Sequence, residues 1–131
     1  MSHMTKLDLK IMDEDSLKKA LNDLGCEVTN QVTDYYGSTT QSIGGRPVAF
    51  GFKHPKASTN RLGFVKNDDG SLQMAGDTYG TGIPIDQFQT QLGGRYALHY
   101  SAKMLRRQGF NIVKMPSGLS GKQKLVARKA Y

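Results

Sequence analysis

Pro84 to Gly109 reads PIDQFQTQLGGRYALHYSAKMLRRQG, and its periodicity decides the architecture. Pro84 or Asp86 can open a helix, and Gly109 can close it in the left-handed conformation. At about 100° per residue, Ile85, Phe88, Leu92, Tyr96, Ala102 and Leu105 share one broad arc. About 24 helical residues run roughly 36 Å, close to the width of a domain of this size. The segment is therefore expected to be the spine against which a sheet is laid.

Three features of this helix bear on function. Gly93-Gly94 in the interior costs about 1 kcal/mol per glycine relative to alanine. Either the helix kinks there or another backbone approaches too closely for a side chain. Gly93, Ala97, Tyr100 and Met104 recur at helical spacing opposite the core arc. They could dock a second helix or a partner protein, or be covered within the domain itself. His99 lies near the centre of the core arc, one turn after Arg95. It is expected to be neutral and hydrogen-bonded in the core, a structural rather than a catalytic histidine.

Outward from the helix, the chain alternates short elements. Thr5 to Ile11 alternates as a half-buried strand, with Leu7, Leu9 and Ile11 on one side. Asp13-Glu14-Asp15 supplies a cap and a negative first turn for a helix over 15–24, which Gly25 ends. Cys26, Val28 and Val32 begin a strand towards Tyr35-Tyr36-Gly37. Ser38 to Arg46 reads as a loop. Pro47 to Lys53 is a strand with Val48, Phe50 and Phe52 on one face and the small Ala49 and Gly51 on the other. Arg61 to Lys66 and Ser71 to Gly76 flank Asn67-Asp68-Asp69-Gly70, a strong hairpin signal. Asn111 to Met115 and Lys124 to Ala130 are the last strands. Lys19 to Val28 and Lys103 to Ile112 also share one pattern: a helix end, a glycine cap and a strand entry.

Together these elements predict a single α+β domain over 1–131. It has a mainly antiparallel sheet with two helices on one face, over 15–24 and 85–108. That order suits an elaborated ferredoxin-like split β-α-β fold.

Composition narrows the function classes. Hydrophobic residues make up 37% of the 131 positions, enough for one core. No apolar run approaches the ~18 residues of a membrane span, and MSHMTKLDLK has no signal-peptide core. Cys26 is the only cysteine, which excludes an internal disulfide and disfavours a cysteine-based zinc site. A cytoplasmic, reducing setting fits. The net charge is +7, with the excess towards the carboxy terminus. Arg95, Lys103, Arg106, Arg107, Lys114, Lys122, Lys124, Arg128 and Lys129 all follow the last acidic residue, Asp86. Such asymmetry marks either a surface for nucleic acid or an acidic protein, or a solvated face.

Three segments carry a family resemblance. They are Met1-Ser2-His3, the hairpin Leu62 to Ser71 continuing to Asp77-Thr78-Tyr79-Gly80, and Arg95 to His99 followed by Arg107 to Val113. In this order they resemble the conserved hypothetical chloroplast open reading frame thirty-five family, small proteins of unknown function from plastids, cyanobacteria, other bacteria and phages. The chain departs from that pattern at Thr78-Tyr79, where paired tryptophans are common, and in a divergent stretch over 41–59. The resemblance implies an AAA-type ATPase as a partner, a plastid stroma or a phage-infected cytoplasm as alternative settings, and no catalytic residues.

Motifs for chemistry are sparse. No phosphate-binding loop, nucleophile elbow or metal-binding helix spacing is present, so no cofactor and no metal are expected. Asp77, Arg95 and His99 are the one candidate polar site, should folding bring them together. Asp68-Asp69 reads as turn chemistry rather than a calcium site. Leu62-Gly63-Phe64-Val65 is similar to part of an aromatic RNA-binding signature, but Arg61 and Asn67 break the pattern, and Phe64 is expected in the core.

The leading expectation is a non-catalytic protein-interaction module, an adaptor or regulator, using Gly93, Ala97, Tyr100 and Met104. The alternative is an RNA- or DNA-binding protein using Arg106, Arg107, Lys114, Lys122, Lys124 and Arg128.

Overall fold

The computed structural model describes residues 10–34, 36–57, 59–78, 81–116, 118 and 125–129. Helix α1 spans Glu14–Asp23 and α2 spans Ile85–Arg107. The strands are β1 Glu27–Thr29, β2 Val32–Thr33, β3 Thr39–Thr40, β4 Ser42–Ile43, β5 Arg46–Lys53, β6 Leu62–Lys66, β7 Leu72–Gly76, β8 Phe110–Lys114 and β9 Val126–Lys129. The main sheet runs β1-β5-β6-β7, with β4 also on β5, while β2-β3 and β8-β9 form separate ribbons. Every described pairing is antiparallel. The class is therefore α+β, and a ferredoxin-like arrangement is compatible with this order.

The hairpin expected at Asn67-Asp68-Asp69-Gly70 forms, with Gly70 in the left-handed region at φ 86°. Asp69 Oδ1 accepts from the Ser71 backbone N–H and hydroxyl, at 2.9 and 2.6 Å. The segment read as a loop from Ser38 to Arg46 instead contains β3 and β4. Asp34 reverses the chain there, its Oδ1 accepting from Tyr36 N–H and Ser38 N–H, both at 2.9 Å. Gly44 and Gly45, both at positive φ, then close a two-residue turn between Ile43 and Arg46. Of the strand expected over Thr5 to Ile11, residues 5–9 lie outside the described residues. Ile11 makes one bridge to Leu72.

The sheet has two differently covered faces. Phe50, Phe52, Leu62 and Phe64 point to the helices and meet Leu17, Leu21, Phe88, Leu92 and Tyr96 in one apolar cluster. Phe64 is a core residue, 1% exposed and stacked on Phe50 at 5.5 Å. On the other face Gly51 and Gly63 are register partners. The chain around Thr29 to Val32 lies directly over them: a Cβ at Gly51 would stand 2.1 Å from the Gln31 carbonyl, and one at Gly63 2.3 Å from Val32 Cγ2.

The helices begin and end largely as their sequences dictate. Asp13 caps α1, accepting from Ser16 N–H at 3.0 Å and from its hydroxyl at 2.6 Å. Gly25 and Gly109 take positive φ after the two helices, at 79° and 91°. Along α2, Phe88, Leu92, Tyr96 and Ala102 are buried, while Ile85 and Leu105 are half-buried. The Tyr96 hydroxyl accepts from both Met12 and Asp13 N–H at 3.1 Å, joining the spine to the entry of α1.

The close backbone approach expected at Gly93-Gly94 is not realised: α2 runs through both residues, and a Cβ at either would meet nothing within 4 Å. Both glycines therefore cost helix propensity without relieving any crowding. Gly93→Ala is expected to stabilise the chain by about 1 kcal/mol, read as a higher midpoint in urea. An unchanged or lowered midpoint would refute the open space found there.

Candidate functional site

Folding does not assemble Asp77, Arg95 and His99. Arg95 and His99, one turn apart on α2, share Asp23 at the end of α1: Arg95 Nε donates to Oδ2 at 2.8 Å and His99 Nε2 lies 2.7 Å from the same oxygen. Arg95 is 6% exposed. It also donates through Nη1 to the carbonyls of Pro116 and Gly118, at 2.6 and 3.2 Å. Asp77 stands elsewhere, its Oδ2 3.6 Å from Arg61 Nη1. His99 is half-buried rather than central in the core, because the end of α1 reaches it from the side. Its partner is Asp23, not Asp77.

The Asp23 cluster is a clasp between helices. Partial burial raises the Asp23 carboxyl pKa, but hydrogen bonds from His99 and Arg95 and their charges outweigh it, and the net shift is downward. At the other end of α1, Lys103 donates to Asp13 Oδ1 at 2.7 Å. Burial opposes ionisation of Asp13 too. Bonds from Lys103 and Ser16 still bring it down to about 2. Asp23 pairs early in α2 and Asp13 late, so the two helices run antiparallel. Sequence reasoning missed Asp23, although one signal was available. An acidic residue in the last turn of a helix opposes the helix dipole, so it implies a cation supplied from elsewhere.

Among the described residues the buried histidine is His54, 9% exposed and edge-on to Phe88 at 4.9 Å. Its Nδ1 accepts from Lys56 N–H at 3.1 Å. Burial, with the nearby Lys56 charge, lowers its pKa and favours the neutral ring. Burial likewise pushes the Cys26 thiol up to about 11, so it is not a poised nucleophile. Among the described residues, no group of three or more His, Cys, Asp or Glu could hold a metal ion. No described helix is long and apolar enough to cross a membrane.

The carboxy-terminal cations gather on one pair of elements. Arg106 and Arg107 are exposed in the last turn of α2. Gly109 then turns the chain into β8, which packs on α2 and pairs with β9. Phe110, Ile112 and Ala127 are the half-buried positions of this ribbon. Lys114, Arg128 and Lys129 are exposed beside Val113 and Val126. None of these five cations has a carboxylate partner among the described residues. Lys122 and Lys124 lie outside the described residues.

The stripe of Gly93, Ala97, Tyr100 and Met104 is half-buried along its length. Tyr100 leans towards the core, stacked on Tyr96 with ring centroids 5.8 Å apart. Tyr100 is only about 40° round the helix from Tyr96, and packing draws it inward. Open space on the stripe lies beside Gly93, where an added Cβ would meet nothing within 4 Å.

A cavity of about 380 Å³ lies apart from all these groups, between the β2-β3 ribbon and the ends of β6 and β7. Val32, Thr33, Thr40, Ile43, Arg61 and Asp77 are among its walls. No feature of the sequence alone pointed to it.

No curated protein and no solved structure matches the chain significantly. The family model described as "Protein of unknown function (DUF1257)" matches residues 20–126. That span takes in the last turn of α1, all of the main sheet, α2 and the β8 strand, with Asp23, Arg95, His99 and the cavity inside it. The chain belongs to this family of proteins of unknown function.

Proposed function

We propose that this chain is a non-catalytic binding module whose β8-β9 ribbon and α2 terminus engage nucleic acid. The observation that carries this reading is the set of five exposed cations, Arg106, Arg107, Lys114, Arg128 and Lys129, unmatched by described carboxylates. A two-stranded antiparallel ribbon has the width to enter a major groove, and arginines at a helix end can grip the flanking phosphates. Arg95 and His99, two of the groups that could have formed a polar site, serve instead as a link between the helices through Asp23.

Five phosphate contacts imply a slope of log K against log salt of about −4.5 on duplex DNA, so affinity should fall roughly 500-fold between about 50 and 200 mM salt. Fluorescence anisotropy with labelled duplex and single-stranded oligonucleotides measures this directly. The double variant Lys114→Glu, Arg128→Glu should lose binding at least about tenfold while keeping its melting temperature. Absence of binding to either form at low salt would remove this reading.

A protein partner is the second reading, favoured by the open space beside Gly93 on the half-buried stripe that continues to Ala97. The resemblance to the chloroplast open reading frame thirty-five family makes an AAA-type ATPase the partner to try. Pull-down with that ATPase should then be lost in Ala97→Arg. Gly93→Ala separates the roles: a more stable fold with weakened capture would mean the glycine is kept for the partner.

A further inference from the structure

The outer face of the β8-β9 ribbon carries more than charge. Ile112 and Ala127 are register partners on the half-buried side, and Phe110 lies on that side with them. Two other cross-strand pairs form the opposite face, Asn111 with Arg128 and Lys114 with Val126, because register partners share a face and side chains alternate along a strand. All four are exposed. A register shift between Ile112 and Lys114 leaves Val113 as the extra residue of a bulge, so Val113 and Lys114 are exposed in succession. Val113 is 52% exposed and Val126 43%, next to one another across Lys114. A strand face turned only to water alternates to polar residues at such places. Here two valines and an asparagine stand among cations.

Their arrangement suits the floor and walls of a major groove. Lys114 and Arg128 lie on a diagonal, one on each strand, so each flanking phosphate backbone meets one long cation. Lys129, the register partner of Phe110, adds charge at the end of the ribbon nearest Arg106 and Arg107. The shorter Asn111, Val113 and Val126 are left to face the base edges between those walls. An A·T pair shows adenine N7 and its amino group there, which an asparagine amide matches with two hydrogen bonds. It also shows the thymine methyl, which takes apolar contact. Two residues of strand cover about 7 Å, close to two base-pair steps, so Asn111 and the valines meet neighbouring pairs. Duplex RNA offers neither feature, since its major groove is deep and narrow and uracil lacks the methyl. Resting on the reading of this ribbon as a nucleic-acid surface, we propose that Asn111, Val113 and Val126 read A·T base pairs in the major groove of duplex DNA.

Fluorescence anisotropy of the full chain at low salt tests this with labelled DNA duplexes of one length and different cores. The A·T core should bind at least about tenfold more tightly than a G·C core. Replacing thymine by uracil in the A·T core removes only the methyl, and should cost several-fold. Replacing adenine by 7-deazaadenine removes the acceptor for Asn111, and should cost several-fold as well. These substitutions leave the protein untouched, so no folding defect enters. Asn111→Ala, and the pair Val113→Ser with Val126→Ser, should lower A·T affinity towards the G·C value. Neither removes a charge, so affinity for the G·C core and its salt slope should stay as in the parent. Equal affinity for the A·T and G·C cores would overturn base reading and leave the ribbon a phosphate-binding surface. An undiminished uracil core would also overturn it, because the minor groove shows no methyl and contact would lie there. Variants that keep the parent's preference, or tighter binding to duplex RNA, would do the same. Absence of binding to every duplex would overturn this inference together with the nucleic-acid reading beneath it.

Discussion

Replacing Gly63 by alanine is expected to cost at least about 3 kcal/mol and to lower the melting temperature by about 10 °C. Gly63 sits mid-strand in β6 opposite Gly51, on the sheet face away from the helices. Its backbone is ordinary, so the penalty comes from space alone. The added methyl would stand 2.3 Å from Val32 Cγ2, 2.6 Å from the Phe50 carbonyl oxygen and 3.1 Å from the Gly51 Cα. Val32 is 2% exposed and branched at Cβ, so it has no free rotamer to take. The Phe50 oxygen belongs to the β5 backbone and can move only with that strand. Shortening Val32 to alanine in the Gly63→Ala background should therefore recover only part of the loss. Urea unfolding of the two variants measures both quantities. A Gly63→Ala protein that melts within about 1 °C of the parent would mean that the segment over the sheet is not seated there.

Asp23→Ala is expected to be the second most damaging change, at about 2–4 kcal/mol. It leaves the guanidinium of Arg95, 6% exposed, without its carboxylate, and removes the contact of His99 as well. The loss falls at or below the range for a fully buried pair because the Asp23 side chain is 29% exposed, and because Arg95 keeps the carbonyls of Pro116 and Gly118. The pH dependence follows from the same groups. Asp13 and Asp23 both have lowered pKa values in the fold. Their contribution is present above the unfolded carboxyl value of about 4 and is lost as pH falls through the folded values. For Asp13 that loss extends to about pH 2. His54, also lowered, adds a decline that begins below about pH 6.5, where the unfolded ring takes up a proton first. Melting temperature against pH should thus slope gently from about 6.5 and steeply below about 4. In Asp23→Ala the steep part should be shallower, and an unchanged slope would remove Asp23 from the clasp.

The sequence by itself determined the parts that depend on near neighbours along the chain. The apolar arc of α2, the Asp13 cap, the glycines after both helices and the Asn67 to Gly70 turn are all governed by residues within a few positions of one another. The alternation at Phe50 to Phe52 likewise sent both phenylalanines to the core and left the small Gly51 on the other face, but a register shift between Val48 and Phe50 turns Ala49 rather than the expected Val48 against the core. What lies against that small face was not legible, because Gln31 and Val32 reach it through tertiary packing, with no pattern of their own. Tertiary structure also chose the ion pairs. His99 could have met Asp77 or Asp23, and spacing cannot choose between carboxylates 22 and 76 residues away. Antiparallel packing of α1 on α2 settles it, by placing the carboxy-terminal end of α1, with Asp23, against Arg95. The cavity was hidden for the same reason: β2, β3 and β4 are two-residue strands, too short for any period, and their positions follow from the Asp34 turn and the Gly44-Gly45 hairpin. Charge lies between these cases. The sequence dictates that no acid follows Asp86, but only the pairing of β8 with β9 beside the end of α2 gathers the exposed cations on neighbouring elements.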